Sequence, residues 1–345
     1  MPVATSAEFR DVMGYFRAVV RDGEVSERAL GLTADVVGQN PASYTAWAWR
    51  LKCLDALGTR DWDGELAWVG GWVARHTKNY QVWQHRRAVA ERAYGAPGSA
   101  ELARREGKFS EGPLGEDAKN YHAWAHRQWC LAHDPGFEEA LLAADPFNNS
   151  CWNHRHFVIR RGLDGGTGGF GGDGVLAREV GFVRAALEAS DRALASAPEG
   201  AERDGGTLGS NDAAWEYVRG AHRDAGARLS DSDGLVALVV ERCFSKGPQR
   251  WVDVAWGDLN GLGVLLDMLV EDPGGAFLAR PSGRRDSPEE GGGEGGAKAE
   301  PPVLLSAVAL CEALMDRDRV RAGYWAIRRA QLLPLDPSTD DSSTS

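Results

Sequence analysis

The chain has 345 residues, of which 43% are hydrophobic and 26% charged, and a net charge of −11 at pH 7. A nucleic-acid binder would carry an excess of Lys and Arg, so that class is disfavoured. No apolar run reaches the roughly 18 residues of a membrane span. The five cysteines, at 53, 130, 151, 243 and 311, are scattered and form no CxxC pair. They read as reduced thiols and not as a disulfide frame or a zinc site. Met1 to Arg10 shows no apolar signal region, so a cytoplasmic location is expected. The 13 Trp and 43 Gly are both unusual, and they fall in different places.

In chain order, Ser26–Gly38 reads as a helix closed by Asn40-Pro41. Residues 44–50 follow, Tyr-Thr-Ala-Trp-Ala-Trp-Arg, and a related segment recurs at 80–86 (Tyr-Gln-Val-Trp-Gln-His-Arg), 121–127 (Tyr-His-Ala-Trp-Ala-His-Arg), 149–155 (Asn-Ser-Cys-Trp-Asn-His-Arg) and, decayed, at 212–218 (Asp-Ala-Ala-Trp-Glu-Tyr-Val). The template is Y-x-x-W-x-x-R, with Trp spacings of 36, 41, 28 and 63. Asn79, Asn120, Asn148 and Asn211 stand where an N-cap would accept free backbone N–H groups. The i, i+3, i+6 spacing places Tyr, Trp and Arg within one helical stripe. Gly58, Gly95 and Gly162 end the first, second and fourth helices. Second helices are expected over 65–76, 137–144 and 175–195. No stretch alternates like a strand. The fold class is therefore all-α, a solenoid of stacked helical hairpins of TPR-like kind, expected as a single array over 1–335.

Three Gly-rich tracts interrupt this array. Residues 162–174 hold eight Gly in 13 positions, and 281–302 consist largely of Gly, Pro, Glu and Arg. Neither buries enough surface to offset its ordering entropy, so flexible surface loops are expected. Residues 95–116 are a milder case, where glycines and prolines break what should be a second helix. The tail at 336–345 is expected to be disordered.

The chemical candidates are few. His122 and His126 stand at i, i+4 like a zinc pair, but Ala123 occupies the place of the metalloprotease Glu. His85, His126 and His154 each lie two residues after a repeat Trp, which is most simply structural; no metal ligand is assigned to this chain. The repeat Trp and Arg are expected to pack between copies, with Arg bonding carbonyls or acids of a neighbouring helix. Lys119 differs because its repeat-mates vary: Lys78, Phe147 and Ser210. A Lys beside the orphan N–H groups of a helix start suits a phosphate, and is equally a solvated surface Lys. No nucleophile elbow, Walker loop or dinucleotide fingerprint is present. On these residues alone the chain is an acidic helical-repeat scaffold, and a non-catalytic adaptor is one reading of it.

The segments Asp117–Trp124 with His126-Arg127-Gln128-Trp129, Lys78–Trp83 with His85-Arg86-Arg87, and Asn148–Ser150 with Trp152-Asn153 and Arg155–Ile159 resemble the alpha subunit of protein farnesyltransferase and geranylgeranyltransferase type I. The run Asp11–Val19, Leu310-Cys311-Glu312 and Tyr324-Trp325 are similar too. The resemblance implies a right-handed superhelix of prenyltransferase alpha repeats. It implies an obligate beta-subunit partner that holds Zn2+ and most of the isoprenoid pocket, with Mg2+ accompanying the farnesyl diphosphate reaction. The activity implied is transfer of farnesyl or geranylgeranyl from an isoprenoid diphosphate to the Cys of C-terminal CaaX proteins. Residue by residue, it implies that Lys119 and Tyr121 are catalytic at the diphosphate, that Tyr80, His122 and Asn148 contact substrate, and that Arg127 and Trp152 support that face. The alpha subunit of Rab geranylgeranyltransferase shares the W-x-x-R hairpins but fits the 117–124 run less closely. The sequence departs from the pattern at the Gly-rich tracts, in a short third repeat, and at Val218, which stands where the fifth copy should have Arg.

Overall fold

The computed structural model describes residues 6–58, 61–131, 135–163, 168–196, 211–244, 258–272 and 307–332. Among these residues there are fifteen α-helices, three short 3-10 turns and no strand. The tracts at 281–302 and 336–345 lie outside the described residues. The chain divides into two compact units, Met1–Leu141 and Leu142–Ser345.

The first unit contains α1 (Ala7–Asp22), α2 (Glu27–Gln39), α3 (Tyr44–Ala56), α4 (Trp62–Arg75), α5 (Tyr80–Tyr94), α6 (Ala100–Glu116), α7 (Tyr121–Trp129) and most of α8 (Pro135–Ala144). The helix starts follow the caps in the sequence. Asn79 Oδ1 accepts from the amides of Gln81 and Val82, and Asn120 Oδ1 from those of His122 and Ala123; Ser43 does the same work at α3. The expected stripe splits in two. Trp47, Trp83 and Trp124 are buried with Arg50, Arg86 and Arg127, but Tyr44, Tyr80 and Tyr121 are 73%, 61% and 76% exposed. Positions i and i+6 lie about 120° apart around a helix, so a stripe anchored on Trp and Arg leaves Tyr at its edge.

Each buried Arg is met by an acid from the following helix. Arg50 forms a two-pronged ion pair with Glu65 (2.7 and 2.6 Å), and Arg86 with Glu106 (2.7 and 2.8 Å). The same carboxylates take a third partner from the next copy. His85 Nε2 lies 2.7 Å from Glu65, and His126 Nε2 lies 2.7 Å from Glu106. Arg50, Arg86 and Arg127 each also donate to a backbone carbonyl twenty residues earlier, at Leu30, Leu66 and Gly107. The guanidinium faces stack on an aromatic ring of the second helix, Trp68 for Arg50 and Phe109 for Arg86. His85 packs 4.8 Å from Trp47, and His126 5.1 Å from Trp83.

Residues 100–116, expected as a broken and flexible tract, form α6, a helix of 17 residues with Pro113 inside its last turn. Propensity loses here to packing. Leu102 and Leu114 are fully buried, and Glu106 is fixed by two partners, which together outweigh the helix-interior cost of Gly107, Gly112 and Pro113. The short third repeat is also visible, since α7 and α8 have only 9 and 10 residues.

The second unit contains α9 (Asn149–Arg160), α10 (Val175–Ala195), α11 (Asp212–Ala225), α12 (Asp233–Cys243), α13 (Leu259–Glu271), α14 (Ala307–Arg317) and α15 (Ala322–Leu332). Arg155 pairs with Glu179 (2.8 and 3.1 Å), and Tyr217, at the position of the repeat His, donates to the same carboxylate at 2.6 Å. The Gly-rich tract 162–174 is not without an anchor. Its 3-10 turn at Gly169–Gly171 buries Phe170 against His156 and Tyr217, so one aromatic ring docks residues 168–174. Helix α13 is enclosed on nearly every side. A Cβ on Gly263 would stand 2.8 Å from Arg219, and one on Gly261 3.1 Å from Trp215, so side chains of α11 pack directly against both glycines.

Burial alone would raise the Glu106 carboxyl, yet the hydrogen bonds from His126 and Arg86 hold it below the usual carboxylate range. Burial pushes His126 down to about 4, because Glu106 is already neutralised by Arg86 and cannot fully stabilise a second cation. His126 therefore stays neutral and donates its Nε2–H. Below about pH 6.5 the unfolded chain takes up a proton that folded His126 refuses. Stability is thus full above that pH and falls as pH drops toward 4. Thermal melts followed by circular dichroism should show this decline, and His126→Gln, which keeps a donor toward Glu106, should make it shallower. Glu106→Gln should cost about 3–5 kcal/mol at neutral pH, because it leaves the Arg86 charge buried without a counter-charge.

Candidate functional site

The turn ahead of α7 is held at several points and presents a cation. Asp117 Oδ1 accepts from the Lys119 amide at 3.1 Å, and the Asn120 amide donates to the Asp117 carbonyl at 2.9 Å. Asn120 is buried; its oxygen caps α7, and its Nδ2 donates to the Thr77 carbonyl at 3.4 Å. That carbonyl already accepts the Trp83 indole N–H at 2.8 Å, so the loops before α5 and α7 are tied to each other. The Trp124 indole N–H in turn holds the Ala118 carbonyl at 2.9 Å. Lys119 is exposed, with both of its chain neighbours fixed.

Two of the amides that the sequence offered to an anion are already occupied. His122 N–H and Ala123 N–H both donate to the Asn120 cap. The positive end of α7 remains, with the exposed Lys119 and Tyr121 at the helix start. Lys78, the mate of Lys119 one repeat earlier, stands 3.4 Å from Asp117 in an exposed ion pair.

Tyr80 and Tyr121 flank His122, with ring centroids at 6.4 and 5.6 Å. Burial lowers the His122 pKa, against a hydrogen bond to the Lys78 backbone that would raise it, so the ring is neutral near pH 7. An open concavity of about 640 Å3 lies at the preceding loop, lined by Arg75, His76, Lys78, Asn79, Tyr80 and Gln81. The structure thus brings Tyr80, Lys119, Tyr121 and His122 to the helix-start end of the first unit. Arg127 is elsewhere. It is buried, with Nη1 donating to Gly107 O (3.0 Å) and Ser110 Oγ (3.1 Å). Asn148 and Trp152 belong to the second unit. Asn148 is buried and caps α9, and the Trp152 indole N–H holds the Pro146 carbonyl at 2.9 Å. Among the described residues no group of three or more His, Cys, Asp or Glu is arranged to hold a metal ion.

Sequence reasoning missed the glutamates at 65, 106 and 179. Each precedes an aromatic by three residues (Trp68, Phe109, Phe182), and that shared spacing was the available signal. It also missed Arg87, whose neighbour Arg86 carries the repeat's Arg position.

Three comparisons bear on this geometry. The family model described as protein prenyltransferase alpha subunit repeat matches residues 62–93, 104–134 and 137–162. The protein farnesyltransferase/geranylgeranyltransferase type-1 subunit alpha of Pisum sativum is 33% identical over 339 residues, covering 96% of this chain and 88% of that protein. The chain belongs to the protein prenyltransferase alpha-subunit family. The Mus musculus geranylgeranyl transferase type-2 subunit alpha is more distant, at 27% over 283 residues, with 76% of this chain and 44% of that protein covered. A solved structure titled Candida albicans protein geranylgeranyltransferase-I complexed with GGPP shares the fold, with a TM-score of 0.67 at 19% identity over 96% of this chain and 92% of that one. The family repeats at 62–93 and 104–134 contain Tyr80, Lys119, Tyr121 and His122.

Asn120 does three things at once, so its loss should be felt in both fold and site. Asn120→Ala should destabilise the chain by about 1–2 kcal/mol in denaturant titrations. Asn120→Asp, which keeps the cap and loses the amide bond to Thr77, should cost less than half of that.

Proposed function

We propose that this chain is the alpha subunit of a heterodimeric protein prenyltransferase of the farnesyltransferase/geranylgeranyltransferase type-1 kind. With a beta subunit it transfers a farnesyl or geranylgeranyl group from the diphosphate to the Cys of a C-terminal CaaX box. The observation that carries this reading is the exposed Lys119–Tyr121 pair on the fixed turn at the start of α7, within a family repeat.

In this reaction the substrate sulfur forms a bond to C1 of the prenyl chain, and the C1–O bond breaks with its electron pair leaving on the diphosphate. Zinc, held by the partner, would supply the sulfur as thiolate, and Mg2+ would share the diphosphate charge. Lys119 places an ammonium where the leaving oxygens gain charge, and Tyr121 places a hydroxyl donor beside it. Contacts that strengthen as charge develops lower the barrier more than they tighten the ground state. The turn supplies precision. Ala118 and Asn120 are anchored by hydrogen bonds, so the Lys119 backbone need not be ordered when the ligand arrives. Tyr80 and His122, exposed and half-buried beside this pair, border the peptide. Within the first unit, buried Arg127 supports this face by holding α7 to Gly107 and Ser110 of α6.

The type-2 reading accounts less well for the sequence, since the type-2 relative is less similar and is matched over less than half its length. A non-catalytic adaptor would need neither a beta subunit nor a diphosphate. Co-expression with a farnesyltransferase beta subunit should give a stable 1:1 complex that prenylates a CaaX peptide; failure to form one would favour the adaptor. In that complex, Lys119→Ala should lower the single-turnover rate roughly 30- to 1000-fold, the equivalent of about 2–4 kcal/mol. Prenyl diphosphate binding should weaken less than turnover falls. Lys78→Ala, which only releases a surface ion pair, should leave the chemical step within about twofold. Equal losses in both variants would reject the catalytic role of Lys119.

A further inference from the structure

Arg87 lacks the acidic neighbour of the repeat-core arginines; the Arg127 Nε is likewise buried without an acceptor, but Glu138 lies 4.0 Å from it. Arg50, Arg86 and Arg155 each pair with a carboxylate, and Arg127 donates to a carbonyl and a hydroxyl. Arg87 is half-buried on α5, and its Nε is shut off from solvent without a hydrogen-bond acceptor. Among the described residues it forms no ion pair. Its guanidinium lies over the Trp129 ring at 5.4 Å. Its electrostatic neighbours are the Tyr80 and Tyr121 hydroxyls, the Cys130 thiol and the Glu91 carboxyl; Glu91 is exposed one turn further along α5 and out of bonding range.

A buried guanidinium Nε–H without an acceptor costs free energy, and buried polar atoms in folded proteins nearly always find a partner. Tyr80 lies seven residues before Arg87, on the same face of α5. The charge is therefore set behind a row of exposed tyrosines, Tyr80 and Tyr121. Tyr and Arg flanked by an aromatic platform is the composition of a protein-binding hot spot, and its charge selects an acidic partner. Burial lowers the Arg87 pKa, which agrees with a cation awaiting its counter-charge.

We propose that Arg87 is an interface anchor that receives a carboxylate side chain of the partner subunit, completing on assembly an ion pair that this chain leaves open. The proposal rests on the heterodimeric prenyltransferase reading, and it names the group through which this chain grips its partner.

The test uses the full-length heterodimer with wild-type chain, Arg87→Met and Arg87→Lys. Met keeps most of the volume over Trp129 and removes the charge; Lys keeps the charge and loses the planar fork. Dissociation constants are read from dilution-driven dissociation of fluorescently labelled complexes, at low and high salt. Arg87→Met should weaken assembly roughly 30-fold or more, and Arg87→Lys distinctly less. Thermal melts of the full chain alone keep misfolding separate, since Arg87→Met should leave its melting temperature unchanged or raised. Wild-type affinity in Arg87→Met would overturn the proposal. So would unchanged assembly with a KM raised for a CaaX peptide acid but not for its amide, which would place the carboxylate on the substrate. If the wild-type chain forms no active complex with a beta subunit, the prenyltransferase reading itself fails, an outcome distinct from an active complex indifferent to Arg87.

Discussion

The packing of this molecule depends on a buried carboxylate shared by three helices. Glu65 and Glu106 each sit in a second helix, receive two bonds from the Arg of the helix before and one from the His of the helix after. Glu179 does the same with Arg155 and Tyr217. A charge this deep is tolerated only when its lone pairs are filled, and three donors fill most of them. The arrangement also sets register. Apolar side chains would allow neighbouring hairpins to slide, whereas a two-pronged Arg and a His that must reach one carboxylate do not.

Much of this order was legible from residues. The Asn caps follow from side-chain chemistry at helix starts, and the structural role of His85 and His126 follows from their recurrence after Trp. The choice of Glu as their common partner was hidden, because an acid in an amphipathic helix looks the same whether it faces water or the core. Residues 100–116 were misjudged for a related reason. Gly and Pro counts measure local propensity, while α6 is held by Leu102, Leu114 and the bonds to Glu106, all of which are tertiary. Phe170 makes the same point on a smaller scale: one ring among many glycines decides where its segment lies.

The residue types of the proposed face were legible, and its electrostatics less so. Lys119 was visible as the position whose repeat-mates vary. That the nearby amides are consumed by Asn120 was not, and in the proposed reaction it leaves fewer backbone donors for an anion at that end. The exposed tyrosines were assigned to the same stripe as Trp and Arg, although 120° of rotation carries them out of the core.

The linkers ahead of α3, α5, α7 and α9 run over 40–43, 76–79, 117–120 and 145–148, each four residues long. Each is spanned by an indole N–H reaching a carbonyl six residues back, at Pro41, Thr77, Ala118 and Pro146. One residue more or less would carry that carbonyl out of the indole's reach. Second-helix lengths, by contrast, range from 10 residues in α8 to 21 in α10. Among the repeats of this chain, variation in length thus falls in the second helices and not at the helix starts. Within the first unit the chain keeps a fixed gauge at the end that displays Tyr44, Tyr80 and Tyr121, and can lengthen or shorten its hairpins elsewhere without disturbing how those residues are shown.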